Sequence, residues 1–405
     1  MNQNAQNNIT AKIQEDISPT RNLSGIHLKI VFGIAILWTL FQLWYASPFP
    51  FWFNFGMFKG LPARAIHLGF ALTLTFLIFP VVRGKKISVF DILISIVAAF
   101  CCLYIYFFYD DLVNRGGILL VKEIFGFKVP VELIIGATGI LILLEATRRA
   151  IGLPLVIIAI CFLLFSYFGK YAPDIISHGG LSVKRLVGFQ WFDQEAIFGI
   201  PIGVSVDFIF LFVLFGALLE TAGGGKYFLD LAFAMVGKMR GGPAKAAILG
   251  SGMTGMISGS SIATAATMSK VAMPEMRRYK YADSLATASI AAGGTLGILI
   301  PPSVILVIYG LLTEQSIGKL FMAGFIPGVI GIIFYTLAVK YVVTRDASLG
   351  PAGEPTGWRD RLLALKDVWS TLGLFIFVIY FLNRKLDFFV FLPSKSKLYK
   401  SSCLF

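Results

Sequence analysis

Residues 246–269 read AAILGSGMTGMISGSSIATAATMS and contain no charged side chain. This length and neutrality suit a membrane span, because a helix needs about 20 apolar residues to cross the hydrocarbon core. Glycine, alanine, serine and threonine dominate the stretch, however, and glycine destabilises a helix interior by about 1 kcal/mol relative to alanine. The composition is wrong for a lipid-facing helix and predicts a break at 258–261.

A break at this point would free backbone carbonyls, which are tolerated at membrane depth only where protein or a water-filled cavity covers them. We therefore expect a re-entrant hairpin, in which two half-helices meet at a Ser/Gly tip. The alternative is a pair of unbroken helices packed through small residues. Gly255-Met-Ile-Ser-Gly259 is an instance of the small-residue motif that such packing uses.

The next apolar segment is also interrupted. Ala282–Ala292 is rich in small residues, and Gly293–Ser303 reads GGTLGILIPPS. Its glycines favour unwinding, and Pro301 has no N–H to donate and clashes with the preceding turn. A proline kink in an ordinary span is the alternative. Two broken segments so close together predict a midplane site, where half-helix N-termini face an anion and unwound carbonyls bind a cation such as Na⁺.

The two breaks offer the oxygen ligands that hard cations prefer. Neither break contains a carboxylate, so a bound ion would have only neutral ligands, which suits a monovalent ion released in each cycle. Such a site suits a cation such as Na⁺, and we expect no other cofactor. The candidate ligands are backbone carbonyls and the hydroxyls of Ser258, Ser260, Ser261, Thr264 and Thr295.

The composition extends the membrane interpretation to the whole chain. Of its 405 residues, 57% are hydrophobic and 14% are charged, whereas soluble domains carry roughly 25% charge. We expect an all-α polytopic membrane protein. The net charge of +13 does not indicate a nucleic-acid partner, because the basic residues lie in short loops between apolar runs. The predicted spans are Ile26–Tyr45, Ala65–Val82, Ile92–Tyr109, Val131–Ala146, Leu153–Gly169, Ile197–Leu219, Ala282–Leu312, Phe325–Val343 and Val368–Leu382.

The basic loops orient these spans. A cytoplasmic N-terminus places the Arg83–Lys86 and Arg148–Arg149 loops in the cytoplasm, together with both basic flanks of the hairpin. Composition also divides the chain, because small residues concentrate after about Leu181. We expect a polar cytoplasmic N-terminus at 1–27, a first membrane module at 28–170, a second at 171–382 and an atypical tail at 383–405.

Two further features carry predictions. The stretch between Ser182 and Glu195 mixes bases, acids and aromatics. It predicts an interfacial amphipathic helix with Trp191 and Phe192 near the lipid headgroups, or else a plain loop. Asp207 lies inside a predicted span, where an ionisable group is a functional candidate by default; a capping or cavity-facing role is the alternative.

Four ordered motifs carry a family resemblance. They are Lys238-Met-Arg-Gly-Gly-Pro-Ala-Lys245, Ile257-Ser-Gly-Ser-Ser-Ile-Ala-Thr-Ala-Ala266, Met273-Pro-Glu-Met-Arg-Arg278, and Gly294-Thr-Leu-Gly-Ile-Leu-Ile-Pro-Pro-Ser303 with Tyr309-Gly310. Through them, residues 181–343 resemble the first half of the large membrane subunit of the TRAP (tripartite ATP-independent periplasmic) transporters. Residues 1 to about 170 are similar in layout to the small, four-span subunit, as if fused in front.

The resemblance implies a multi-pass permease of the bacterial inner membrane and not an enzyme. A separate periplasmic receptor would deliver an organic acid, and a Na⁺ gradient would drive an elevator-like movement of the hairpin-bearing domain. The implied hairpin tip is Ser258, Gly259, Ser260 and Ser261, with Thr264 beside it. The implied facing unwound segment is Gly294, Thr295, Gly297, Pro301 and Ser303. The implied Na⁺ ligands are Ser258, Ser260, Gly294 and Gly297.

The chain departs from the family at its C-terminal end. The family has two inverted repeats, each with a hairpin and a broken helix, and this sequence shows only the first. The residues after Tyr380 are basic and aromatic without a family pattern, and resemble the product of a premature stop or a reading-frame change. We expect this chain alone not to transport unless a second polypeptide supplies the other repeat. A membrane scaffold or assembly partner is the alternative function.

Overall fold

The structure is a computed structural model, and it describes residues 20–351, except 22, 59, 82–86, 117, 125–126, 222 and 302, together with residue 369. The chain forms two compact units, Met1–Leu211 and Phe212–Phe405. The predicted span Val368–Leu382, the tail at 383–405 and nearly all of the N-terminus at 1–27 lie outside the described residues. The expected module boundary near 170–180 stays a prediction.

Helices make up most of the described residues of the first unit. In chain order they are α1 (Gly25–Ala46), α2 (Phe49–Trp52), α3 (Gly60–Ile78), α4 (Val89–Phe107), α5 (Tyr109–Asn114), α6 (Val131–Ala150), α7 (Leu153–Phe168), α8 (Val183–Phe192) and α9 (Ile200–Val204), followed by a π-helical turn, Ser205–Ile209. Strands β1 (Lys122–Ile124) and β2 (Phe127–Val129) form a short antiparallel hairpin between α5 and α6.

The first unit packs around α3, which is the most buried of its long helices. The apolar residues Leu68, Leu72 and Phe76 face a core that α4 and α6 complete. Gly69 lets α3 approach α4 closely, because a Cβ atom at this position would lie 3.2 Å from Cys102 Cβ. Small residues at the contact are how helices without a hydrophobic driving force come together in lipid.

A buried network of ion pairs joins several segments at one end of the first unit. The Asp91 carboxylate accepts hydrogen bonds from Arg21 Nη2 at 2.5 Å and from Arg149 Nη1 at 2.6 Å. Arg149 Nε also donates to Glu145 at 2.8 Å, and Arg21 Nη1 donates to the last carbonyls of α3, at Phe76 and Leu77. The network therefore joins the chain before α1 to α3, α4 and α6.

The expected position of Trp191 near lipid headgroups is wrong. Residues 183–192 do form a helix, α8, but Trp191 is 0% exposed. Its ring occupies the space that a side chain at Gly139 of α6 would need, and Val187 lies in the same way against Gly136. Two glycines one helical turn apart leave a groove on α6, and burying an indole there removes more apolar surface from water than an interfacial position would. Phe192 is half-buried against the same core.

Asp207 lies in the π-helical turn of the first unit. Its side chain is exposed and accepts a hydrogen bond from the Tyr45 hydroxyl of α1. Beside it, Ser205 Oγ lies 3.0 Å from Nε2 of the buried His67 on α3. Because Trp38 Nε1 can only donate, and does so to His67 Nδ1 at 3.1 Å, the His67 Nε2 atom carries the proton and donates to Ser205. These bonds fasten the turn to α1 and α3.

The second unit contains the uncharged stretch at residues 246–269. Its helices are α10 (Phe210–Thr221, whose first two residues belong to the first unit), α11 (Gly224–Val236), α12 (Gly242–Ser258), α13 (Ser261–Arg278), α14 (Asp283–Leu299), α15 (Val304–Leu312) and α16 (Ile317–Arg345). Its core forms where α12, α13, α14 and α16 meet, around Ile248, Met268, Ala286, Ile290 and Val339.

The membrane interpretation is confirmed for the described residues. Seven segments are long and apolar enough to span a bilayer, so the chain is an all-α polytopic membrane protein. The helix α6 covers the further predicted span Val131–Ala146. The seven segments are Gly25–Ala46, Gly60–Ile78, Val89–Phe107, Leu153–Tyr171, Ile200–Leu218, Asp283–Gly310 and Ile317–Arg345.

Candidate functional site

The predicted hairpin tip is present between α12 and α13. The helix α12 ends at Ser258, and Gly259 takes the left-handed conformation with φ +57°. Its N–H donates back to the Gly255 carbonyl at 2.9 Å, which is the usual termination of a helix by a glycine. Ser260 is extended and caps α13, since its Oγ accepts from the Ala263 N–H at 3.4 Å. Gly259 thus reverses the chain in two residues.

The two arms of the hairpin run antiparallel and in contact. Near the tip, Ser258 bonds to Thr264; further down, Gly250 lies beside Met268. The predicted break between two packed helical arms is therefore confirmed. The re-entrant course of these arms in the membrane stays a prediction. The small-residue motif still has a packing role, because a Cβ atom at Gly255 would lie 2.5 Å from the Gly297 Cα atom of α14.

Three oxygens gather at the tip. Ser258 Oγ lies 2.7 Å from Thr264 Oγ1 and 3.2 Å from the Ser260 carbonyl oxygen. We call these three atoms, Ser258 Oγ, Ser260 O and Thr264 Oγ1, the tip oxygens. Thr264 is 0% exposed, whereas both serines are half-buried. The tip oxygens are neutral and close to one another, and they combine hydroxyl and carbonyl groups as expected from the sequence.

Gly297 of α14 lies directly against the tip oxygens. A Cβ atom there would be 2.5 Å from Thr264 Oγ1 and 3.0 Å from the Ser260 carbonyl. One turn earlier, a Cβ atom at Gly294 would be 2.8 Å from Ala265 Cβ and 3.2 Å from the Ser261 carbonyl. The structure therefore brings Gly294 and Gly297 of the second segment against the predicted tip.

The expected unwinding at Gly293–Gly297 is wrong. Gly294, Thr295 and Gly297 are all helical, and α14 continues to Leu299. The physical reason is tertiary. The missing side chains let the hairpin backbone approach α14, and this packing stabilises a helix whose glycines would destabilise it in isolation.

The chain does break one turn later. Ile300 and Ser303 are extended, and the buried Ser303 caps α15 by accepting from the Leu306 N–H at 3.4 Å. Neither Pro301 nor Pro302 has an N–H, so the carbonyls of Gly297 and Ile298 lack their helical donors four residues on. At Gly297 the missing side chain makes room for the tip oxygens. The carbonyl of the same residue has no hydrogen-bond donor within the helix.

Thr295 does not join this group. Its Oγ1 donates to the Ala292 carbonyl at 2.6 Å and lies 3.1 Å from the Tyr335 hydroxyl of α16, and the residue is exposed. Each residue turns a helix by about 100°, so a side chain between Gly294 and Gly297 points away from the face that both share. Thr295 is a residue of the α14–α16 contact.

A cavity of about 150 Å³ lies beside the tip, on the face of the hairpin that turns towards α10 and α11. Thr254, Ser258 and Thr267 are the polar residues among its lining, and the Thr254 hydroxyl oxygen itself is enclosed by protein. Thr254 is 5% exposed, and its Oγ1 has no hydrogen-bond partner among the described residues. The remaining wall is built of small or aliphatic residues, namely Val213, Gly216, Ala217, Gly225 and Ala263.

Thr254 and Thr267 were not among the residues predicted from the sequence. A signal was present, because Thr254 and Ser258 are four residues apart, as are Ala263 and Thr267, and such residues share one helix face. The described residues hold no group of three or more His, Cys, Asp or Glu side chains placed to bind a metal. Neutral oxygens are therefore the ligands that this region can offer to an ion.

A helix hairpin facing a discontinuous helix, within a polytopic helical protein, is typical of secondary membrane transporters. The family model described as "Tripartite ATP-independent periplasmic transporter, DctM component" matches residues 138–386, which is more than half of the chain. The chain therefore belongs to the DctM family of TRAP transporter permeases. The family is that of a transporter permease component and not of an enzyme.

Curated relatives agree with this assignment. The C4-dicarboxylate TRAP transporter large permease protein DctM of Pseudomonas aeruginosa is 37% identical over 223 residues, which cover 55% of this chain and 46% of the relative. DctM of Vibrio cholerae is 35% identical over 42% of this chain and 36% of its own length. The isethionate TRAP transporter permease protein DctMQ of Oleidesulfovibrio alaskensis is 34% identical over 38% and 24%. The chain thus spans half or less of the length of each of these relatives.

Proposed function

We propose that this chain is the permease component of a Na⁺-coupled secondary transporter for a small organic acid. The observation that carries the proposal is the meeting of the tip oxygens with Gly297, whose carbonyl the Pro301–Pro302 break leaves without a helical donor. The names of the relatives support the substrate class, because C4-dicarboxylates and isethionate are small organic anions.

The ion is proposed to bind at the tip. Ser258, Ser260 and Gly297 would supply oxygens, with Thr264 as a fourth ligand; Gly294 would act by letting the hairpin approach. Four neutral oxygens provide no compensating charge, so they favour a monovalent cation that can leave again over a divalent one. Pro301 would keep the Gly297 carbonyl free, and Ser303 would start the second half of the broken helix.

The rest of the proposal concerns the assembled transporter. A periplasmic receptor would deliver the acid to a multi-pass protein of the bacterial inner membrane with its N-terminus in the cytoplasm. The hairpin would move in an elevator-like manner. Family membership supports the receptor and the membrane. The basic loops before α4 and after α6 support the orientation.

The thermal unfolding of the purified chain in detergent tests the ion site. At a Na⁺ concentration ten times its dissociation constant, binding stabilises the folded state by about 1.4 kcal/mol. Replacing KCl by NaCl at equal concentration is therefore expected to raise the unfolding temperature by a few degrees. The Thr264→Val variant keeps the shape of the side chain and removes its oxygen, and we expect it to lose most of this rise.

Thr295→Val is the matched control, because it makes the same change on a threonine outside the tip. Its response to Na⁺ should equal that of the unchanged chain. Comparing the two salts within each variant removes any general effect of the substitution on stability. A Na⁺ response that persists in Thr264→Val would reject the ion site. If neither the unchanged chain nor either variant responds to Na⁺, the result favours the alternative of a scaffold without transport.

A further inference from the structure

The loop between α1 and α3 exposes a high concentration of large apolar side chains. Residues 47–58, which we call the aromatic loop, read SPFPFWFNFGMF and include six aromatic residues. The whole stretch from residue 30 to residue 58 contains no charged side chain. Contiguous exposed apolar surface marks a contact with another molecule or with a membrane. The large side chains of the loop that are 45–73% exposed are Phe49, Phe51, Trp52, Phe53, Phe55 and Met57.

The aromatic loop is folded over the side chain of Trp44, in the last turn of α1. Trp44 Nε1 donates to the Gly56 carbonyl at 3.3 Å. Gly56 has a φ of +64°, and a Cβ atom there would lie 2.9 Å from Trp44 Nε1. The Phe53 ring stacks on the Trp44 ring, with the two centroids 6.3 Å apart. The exposed side chains therefore belong to a compact element with a defined surface.

The backbone of the aromatic loop is bonded largely within the loop. Five N–H groups donate to acceptors inside it, at distances between 2.9 and 3.3 Å. The two prolines have no N–H to satisfy. Water would supply partners to an open loop, whereas backbone that enters lipid has to find its partners in the protein. The internal bonding therefore lets the loop leave bulk water. The five donors are Phe49, Phe51, Trp52, Phe53 and Phe55, and the acceptors are Ser47 Oγ and the carbonyls of Pro48, Phe49 and Pro50.

The position of the aromatic loop in the chain places it beside the bilayer. Both α1 and α3 are long and apolar enough to span a membrane. The loop begins directly after α1 and ends two residues before α3, so both of its ends lie at the membrane surface. Aromatic side chains, tryptophan above all, are enriched at the interface between the headgroups and the acyl chains. Connectivity and composition therefore indicate the same location.

A soluble protein is the other class of partner that an exposed aromatic surface could have. Protein interfaces surround an apolar centre with a polar rim that remains accessible to water. The aromatic loop has no charged side chain for such a rim, and besides the Trp52 indole its polar side chains are Ser47 and Asn54. Ser47 Oγ already donates to the Trp44 carbonyl at 2.8 Å. The composition of the loop therefore favours lipid over a protein partner.

We infer that the aromatic loop is inserted into the interfacial layer of the bilayer, with Trp52, Phe53 and Phe55 among the lipid headgroups and the upper acyl chains. The partner is the phospholipid surface itself. The insertion anchors the adjoining ends of α1 and α3 at one depth, because interfacial aromatic side chains resist transfer either to water or to the bilayer centre. The inference concerns the first unit alone and does not depend on the proposed transport.

The fluorescence of Trp52 in the full chain, reconstituted into phosphatidylcholine nanodiscs, tests the insertion. One quencher is phosphatidylcholine brominated on the upper part of the acyl chain, and the other is iodide in the water. Subtracting the signal of Trp52→Phe from that of the unchanged chain isolates this tryptophan, and the substitution retains an aromatic ring in the loop. We expect the brominated lipid to quench Trp52 at least about threefold more than iodide does, as for an interfacial indole.

Two double variants that contain Trp52→Phe extend the test. Adding Phe55→Trp moves the indole three residues along the aromatic loop and should reproduce the preference for the brominated lipid. Adding Gln315→Trp is the matched control, because it moves the indole to an exposed polar turn between α15 and α16, where iodide should be the stronger quencher. If iodide quenches the Trp52 or the Phe55→Trp signal as strongly as the Gln315→Trp signal, the inference is overturned and the loop faces water, where a soluble protein could bind it.

Discussion

Gly297 is the residue at which the hairpin and the broken helix come closest. No other amino acid fits there without displacing the Ser260 carbonyl or Thr264, because even a methyl group would lie 2.5 Å from Thr264 Oγ1. The carbonyl of the same residue is freed by Pro301. One residue therefore connects backbone packing with the chemistry of the proposed ion site.

Gly297→Ala tests this contact. Alanine favours the helix by about 1 kcal/mol, but overpacking of this kind typically costs 1–3 kcal/mol. We expect a lower unfolding temperature and a loss of the stabilisation by Na⁺, both measured by thermal unfolding in detergent. Gly318→Ala in α16 is the control. Its nearest neighbour would be 3.9 Å away, so it should be neutral or slightly stabilising, and equal effects of the two substitutions would contradict the packing argument.

At the scale of elements, the hairpin depends on the reversal at Gly259. Left-handed backbone costs a residue with a Cβ atom about 1–2 kcal/mol, and asparagine tolerates it best after glycine. The arms α12 and α13 can pack only if this reversal is completed within two residues. A local backbone requirement thus decides whether the tip oxygens form.

Substitutions of Gly259 test this requirement. Gly259→Ala is expected to lower the free energy of unfolding by about 1 kcal/mol and to weaken the Na⁺ response, and Gly259→Asn to do so less. The measurement is again thermal unfolding in NaCl and KCl. An alanine variant that is as stable and as responsive as the asparagine variant would show that the left-handed turn is not needed.

At the scale of the whole molecule, the two units are stabilised by different means. The second unit relies on close backbone contacts between glycine-rich helices. The first relies in part on Asp91, a buried carboxylate between two buried guanidinium groups. Removing one partner of a buried ion pair leaves an uncompensated charge, which costs about 3–5 kcal/mol.

Asp91→Asn is expected to destabilise the first unit by about that amount, seen as early loss of the folded peak on size-exclusion chromatography after heating. The matched control is Asp283→Asn, whose partner Arg277 lies at 3.2 Å with both side chains more than 60% exposed. Exposed pairs contribute about 0–1 kcal/mol, so this variant should behave like the unchanged chain. Similar losses in both variants would mean that burial of the Asp91 network contributes nothing.

Much of the site could be predicted from the sequence at positions where the covalent structure of a residue alone determines the local backbone conformation. Pro301 and Pro302 must break a helix because neither has an N–H, and the Ser-Gly tip combines a cap with a residue that tolerates positive φ. The long uncharged apolar runs likewise had to become spans, since lipid offers no partners to an open backbone.

Tertiary structure decided the remainder, because side-chain direction and helix packing depend on neighbours distant in sequence. The glycines of α14 predicted unwinding, yet the hairpin packs against them and keeps the helix to Leu299. Trp191 has the composition of an interfacial residue but enters a groove that two glycines of α6 leave open. Thr254 and Thr295 are both threonines on helices rich in small residues. Packing encloses the Thr254 hydroxyl without a partner among the described residues, whereas it turns Thr295 towards Tyr335.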